Sequence, residues 1–332
     1  MAVFDFCYGW LVKIDELDRQ IVHCLAVSGR ASFSEIAAVL EVSDQTVARR
    51  YRRLRSAGAV RVVGLRAKQS MGSLGWLLRL RCVPGTGQVI GEALAARPDT
   101  AWVQLLSGDT EVLCTVRGAD AERDAVLAKL PRGGRIVAVS AHRLLHVFAA
   151  ASGGLGFLSV LPDDRVEVLR HRVHTELLEL SDLDLALLRE LGTDGRMSHA
   201  DLAKAVGWSE SSVRRRMDQL QDTGMLFYDL ELDLPAFGLR APTWLWLSVP
   251  PSELNSVGEA FGKFPEVAYA AAITGAFNLL VVAACRDEEA FYTFLTERVG
   301  ALPGVGRVET SPVLRTLKQS SPIPPVAMSL AT

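Results

Sequence analysis

The sequence predicts an α+β chain built twice over, with two winged helix-turn-helix units, each followed by a ferredoxin-like βαββαβ domain. Three observations carry this. Ser43 to Gly58, SDQTVARRYRRLRSAG, recurs without a gap as Ser209 to Gly224, SESSVRRRMDQLQDTG, at an offset of 166 residues. Aligning 17–58 with 183–224 gives 13 identities in 42 positions, among them Leu17, Asp18, Gly29, Arg30, Val47, Arg49, Arg50 and Leu54. A repeat of that length is a second copy of a folded unit, because solenoid periods are shorter. Behind each copy the pattern changes to short strands and helices in the order β-α-β-β-α-β.

Residues 1–13 form an N-terminal extension. The first helix-turn-helix unit spans 14–68. Ile14, Leu17, Ile21, Val22 and Leu25 recur at helical spacing, and Ser28-Gly29-Arg30 stops that helix. Ile36, Ala37 and Leu40 face inward from a short second helix, and Glu41-Val42 is the tight turn. Ser43 caps the third helix by accepting an otherwise unpaired N–H of its first turn. Val47, Tyr51 and Leu54 make its apolar stripe, so Gln45, Arg49, Arg52 and Arg53 point outward. Guanidinium forks on a short helix suit guanine edges and phosphates. Gln45, Arg49 and Arg53 are the candidates for base edges, with Thr46 and Arg50 nearer phosphate. Val60 to Leu65 reads as a wing strand. The bland alternative is a three-helix bundle with a solvated basic face.

The first βαββαβ domain spans 69–150, with a hairpin signal at Ser107-Gly108-Asp109-Thr110. Residues 151–180 connect the copies. Their apolar run of Phe157, Leu158, Val160 and Leu161 argues against a free linker. The second helix-turn-helix unit, 181–237, repeats the first. Ser209 is its cap, and Ser211, Ser212, Arg215, Arg216 and Gln219 are the equivalent outward residues. The second βαββαβ domain spans 238–319, with a helix expected over 288–302, and a Pro- and Ser-rich tail covers 320–332.

Composition narrows the function. The chain is 49% hydrophobic and 22% charged, as globular proteins with real cores are. Net charge is only −2, so a nucleic-acid footprint has to be local. It is also unequal. Residues 14–67 hold nine bases and six acids, whereas 181–234 hold six bases and eleven acids. Arg52 is replaced by Asp218, and Asp229, Glu231 and Asp233 are expected to make the second wing acidic. Copy one is therefore expected to carry most of the DNA affinity. The five cysteines show no CxxC spacing and read as reduced core thiols of a cytoplasmic protein. No apolar run is long enough to span a membrane.

Leu17-Asp18, Gly29-Arg30, the Ser43…Val47…Arg50…Leu54 helix and Gly58 resemble the leucine-responsive/asparagine-synthase regulator family, Lrp/AsnC. The resemblance covers nearly the whole chain twice. It implies a sequence-specific regulator of transcription that binds double-stranded DNA and needs no cofactor. Family members usually carry one copy and dimerise through their sheets, so two copies on one chain imply an intramolecular pseudo-dimer. Further self-association stays open. The resemblance also implies an amino acid or similar effector held near the loop between the second and third strands, where the family usually reads Gly-x-x-Asp. Here the loops read Gly108-Asp109-Thr110-Glu111 and Gly275-Ala276-Phe277-Asn278, without the aspartate, and ordinary hairpin turns use the same residue types.

Two other readings are carried. Siroheme decarboxylases share this two-part architecture, but no matching His-bearing motif stands on the first two strands of either βαββαβ half. A pure interaction module would suit the acidic second copy. His142 and His146 on one strand, and His171 and His174 in the connection, lack metal-ligand spacing and read as surface or interface residues.

Overall fold

Two three-helix units, one shared ribbon and one eight-stranded barrel make up the described part of the chain. The computed structural model describes residues 13–66, 75–116, 120–130, 134–149, 158–171, 173–174 and 178–320. All but Lys13 of the expected extension over 1–13, all but Ser320 of the expected tail over 320–332, and the expected boundaries near 68 and 150 lie outside them.

Helices α1 (Glu16–Val27), α2 (Phe33–Leu40) and α3 (Asp44–Ser56) start at Asp15, Ser32 and Ser43, whose side chains accept the backbone N–H three residues on. The turn after α2 is made by Glu41 in the left-handed region, φ 58°. Ile21, Leu25, Ile36, Val47, Tyr51 and Leu54 close the core, as their spacing predicts. The connection holds a one-turn helix, α6 (Asp163–Val166). The second unit repeats the pattern as α7 (Asp182–Thr193), α8 (His199–Val206) and α9 (Glu210–Asp222), capped by Ser181, Ser198 and Ser209.

The two expected wings are one object. Strand β1 (Val60–Arg66) pairs antiparallel with β6 (Leu226–Leu232), Val60 opposite Leu232 and Gly64 opposite Tyr228. Each copy supplies one strand, and a lone strand would leave both of its edges unpaired. Leu230 and Leu232 of β6, with Phe237, enter the core of the first helical unit. This corrects the acidic wing. Glu231 is 5% exposed and accepts both Nε and Nη2 of Arg61, while Asp229 accepts the Ser320 hydroxyl at 2.9 Å. Asp233 sits where burial raises its pKa. These acids face the chain.

The first βαββαβ half comprises β2 (Trp76–Cys82), α4 (Gly87–Ala95), β3 (Thr100–Leu106), β4 (Glu111–Val116), α5 (Asp120–Ala128) and β5 (Ile136–Ala149). The second comprises β7 (Ala241–Leu247), α10 (Leu254–Phe261), β8 (Val267–Ile273), β9 (Leu279–Cys285), α11 (Glu288–Thr293) and β10 (Val308–Lys318). The helix expected over 288–302 changes to π geometry at Phe294–Val299. Strand order around the barrel is β10-β3-β4-β2-β5-β8-β9-β7. The last strand of each half crosses over, β5 onto β8 through Leu144–Ala149 and β10 onto β3 through Val313–Lys318. Leu78, Leu80 and Cys82 lie under the helices, while Leu77 and Leu113 meet Trp244, Trp246 and Leu280 of the other half. The expected packing of sheet on sheet within one chain is present as a closed barrel.

The connection is docked. Leu158, Leu161, Val166 and Leu169 join the first helical core, Arg165 Nε donates to the Val39 carbonyl at 2.8 Å, and Leu161 N–H donates to His23 Nδ1 at 3.2 Å. A second tie links barrel to ribbon, where the Gln319 amide accepts from Leu232 N–H and donates to Leu232 C=O.

Candidate nucleic-acid interface

The outward face of α3 starts at its cap. Ser43 accepts Thr46 N–H at 3.2 Å, and the two hydroxyls lie 2.9 Å apart. Gln45, Arg49 and Arg52 are exposed, Arg52 Nε donating to the Ala48 carbonyl. Arg49 has no ion-pair or hydrogen-bond partner among the described residues. Two other expected contacts are tied back to α1, Arg53 remaining exposed. Arg50 donates to Asp15 at 2.6 and 2.7 Å and to Asp18 at 3.1 Å, and Arg53 donates to Asp18. Asp18 is fully buried at the third position of α1, and a buried carboxylate left unpaired is strongly destabilising. The hydrogen bond from Arg50 also holds the Asp15 carboxyl down to about 2.

Copy two repeats this. Ser209 accepts Ser212 N–H at 3.2 Å, its hydroxyl lies 3.1 Å from that of Ser211, and Arg215 is exposed with no such partner among the described residues. Arg216 donates to buried Asp184 at 2.6 and 2.7 Å and to Gln219 Oε1 at 2.7 Å, so Arg216 is likewise tied to its own unit while Gln219 stays exposed. Burial works against the Asp184 charge, but the bonds from Arg216 and Ser181 outweigh it and its pKa is lowered. The last turn of α3 carries Arg53 and Arg55, whereas that of α9 carries no base. An open groove of about 1080 Å³ runs along α9, lined by Ser211, Arg214, Arg215, Asp218, Asp222 and His174.

The two helical units are tied across a pseudo-twofold axis by residues whose identity in both copies was visible but unexplained. Arg30 Nη1 donates to the carbonyls of Gly195 (2.9 Å) and Met197 (3.0 Å), and Arg196 Nη1 donates to Gly29 C=O at 2.7 Å. Arg30 lies over the Tyr228 ring, and Arg196 over Phe33 and Tyr51. A self-complementary contact uses the same residues on both sides, which accounts for the repeated Gly-Arg pair.

At the expected effector loops, Ser107, Gly108 and Asp109 all have positive φ (52°, 68° and 69°), and Thr110 closes the turn with its hydroxyl on Ser107 C=O. Glu111 is 4% exposed and accepts from Arg79 and from Ser311 at 2.9 Å. In the other loop, Gly275, Ala276 and Phe277 lead to Asn278, whose amide pairs with both backbone groups of Val249. Both side chains at the family's aspartate position are thus occupied by the chain itself. His142 Nδ1 lies 2.7 Å from Thr274 C=O and His146 packs edge-on against Phe148. Among the described residues no three His, Cys, Asp or Glu side chains gather as a metal site. Cys24, Cys82, Cys114 and Cys285 are free and buried, and burial raises each thiol to about 11 or 12. No described helix is long and apolar enough to cross a membrane.

Comparison with known proteins follows the same division. Residues 14–55 and 180–221 match the AsnC-type helix-turn-helix domain, and 244–323 match the Lrp/AsnC ligand binding domain. An uncharacterised HTH-type transcriptional regulator of Pyrococcus horikoshii is 29% identical over 147 residues, covering 44% of this chain and 92% of its own. Transcriptional regulator AzlB of Bacillus subtilis is 26% identical over 149 residues, covering 44% of this chain and 95% of its own. The crystal structure of the siroheme decarboxylase NirDL, bound to an iron-uroporphyrin III analogue, superposes with a TM-score of 0.60 at 14% identity, covering 92% of this chain and 93% of that one. It shows that the tandem fold exists elsewhere.

Proposed function

The chain belongs to the Lrp/AsnC family of helix-turn-helix transcriptional regulators, and from that premise we propose that it reads duplex DNA unequally, mainly through α3. The observation that carries this is the difference between the two outward faces. Gln45, Arg49 and Arg52 stand exposed on α3, with Thr46 at its first turn. The corresponding face of α9 offers Ser211, Ser212, Arg214 and Arg215, but has Asp218 and Asp222 where α3 has Arg52 and Ser56. Acids beside a phosphate chain repel it, so the second helix supports the weaker half-site. Arg49 is assigned a base edge and Arg52 a base or phosphate. Arg50, Arg53 and Arg216 hold the two helices on which they and their partners sit.

Selection of bound sites from random duplex by the full chain supplies the operator. On it, Arg49→Ala is expected to cost about 1–3 kcal/mol, the usual size of one good base contact, and Arg215→Ala clearly less. Equal losses, or equal protection of two palindromic halves, would sink the asymmetry. Affinity is also expected to fall steeply with salt, as counterions are released.

The ligand-binding domain implies a small-molecule effector, and an amino acid is the proposed class. With Glu111 and Asn278 consumed internally, the exposed backbone of Gly108 and Gly275 and the side chain of Asp109 are the remaining candidates in the two loops. The enzyme reading rests on a fold shared at 14% identity, and function resides in sites rather than folds. A visible absorption band after incubation with an iron tetrapyrrole would separate the two readings.

A further inference from the structure

We propose that His171 and His174 of the connection are a phosphate-contacting arm of the second reading head. This rests on the DNA-binding reading above and adds residues outside either helix-turn-helix unit. Three observations meet here.

The segment is fastened to the far end of α9. His174 N–H donates to the Asp222 carbonyl at 2.7 Å, and His171 Nε2 lies 2.9 Å from Asp222 Oδ1. Val173 packs so closely on Gly224 that a Cβ there would come within 2.7 Å of its Cγ1. The segment also faces the reading side, since His174 shares the groove with Ser211, Arg214 and Arg215. Finally, it restores what α9 has lost. Where this face of α3 carries Arg52 and Ser56, α9 carries Asp218 and Asp222. A duplex backbone passing that end would meet Asp222 alone, were His171 not paired with it. Imidazole N–H groups donate to phosphodiester oxygens.

The test uses the full chain and the operator that it selects. Replacing both residues (His171→Ala with His174→Ala) is expected to weaken specific and random duplex alike by about threefold to tenfold, the scale of one or two lost phosphate contacts. Protection should shrink at the half-site under α9 and stay under α3. His174→Arg is expected to tighten binding and raise the salt slope by about one, a gain that misfolding cannot imitate. Tighter binding by the double variant would show the segment to be a cover over α9, overturning the arm. So would a His174→Arg chain with unchanged affinity and slope. A wild-type chain that prefers no duplex at any salt concentration would instead remove the DNA-binding reading itself.

Discussion

Asp18 and Asp184 stand at the same place in the two copies, and each works twice. As third residue of its helix it accepts the N–H of the cap, Asp15 or Ser181, and it also receives the arginine of the recognition helix. Asp184→Ala is expected to cost about 1.5–3 kcal/mol, the size of lost hydrogen bonds to a charged group; urea unfolding at pH 7 measures it, and a loss under about 0.5 kcal/mol would refute the role. The pKa of Asp184 is lowered, so this stability is complete above the unfolded carboxylate value and is lost as pH falls through the folded one. Asp229 has the opposite sign. Burial pushes it up to about 6 despite donors from Ser320 and Leu230 N–H, and Glu231 on the same strand adds to the rise. Its folded state binds more protons between about 4 and 6, so its contribution falls as pH rises through that window. Asp229→Asn keeps an acceptor without the charge. It should raise Tm at pH 8, with the gain shrinking toward pH 4; a pH-independent gain would rule out charge burial as the cause.

At the scale of elements, the turns between the first two helices of each unit decide how the units meet. A Cβ on Gly195 would stand 2.9 Å from the Val63 carbonyl carbon and 3.0 Å from Gly64 N, both backbone atoms of β1. A Cβ on Gly29 would stand 2.6 Å from Tyr228 Cβ. Backbone yields less readily than a flexible side-chain end, so Gly195→Ala is expected to destabilise by about 1–3 kcal/mol, as overpacking does, with a lower Tm as the readout. An unchanged Tm would mean that the ribbon can move aside. The Gly29-Arg30 and Gly195-Arg196 repetition was legible in the sequence. Its purpose was not, because neither the opposing carbonyl nor the ring beneath each guanidinium lies near it in the chain.

Over the whole molecule, neither half is self-sufficient. Leu230, Leu232 and Phe237 complete the first helical core, and β8 and β10 supply edges that β5 and β3 need. A chain ending near Ala150 would expose these surfaces. It is expected to aggregate or to dimerise by pairing its own β1 with a second β1, as light scattering would report. A well-behaved monomer would contradict the interlocked architecture.

The sequence by itself determined what is local. Helical periodicity and Ser43 and Ser209 as caps depend on residues within a turn of one another, and the 166-residue repeat declares two copies. It also contained the resemblance that names the family. Tertiary structure alone decided which arginines remain outward. Arg49 and Arg53 both point away from the stripe on a helical wheel, yet Asp18, 35 residues before Arg53, draws in only one of them. It likewise turned Asp229 and Glu231 from an exposed wing into partnered groups, Glu231 buried and Asp229 half-buried, because β1 met β6 rather than a strand of its own copy. Those outcomes depend on pairing between segments from 35 residues apart (Asp18 with Arg53) to 170 apart (Arg61 with Glu231), about which local pattern carries no information.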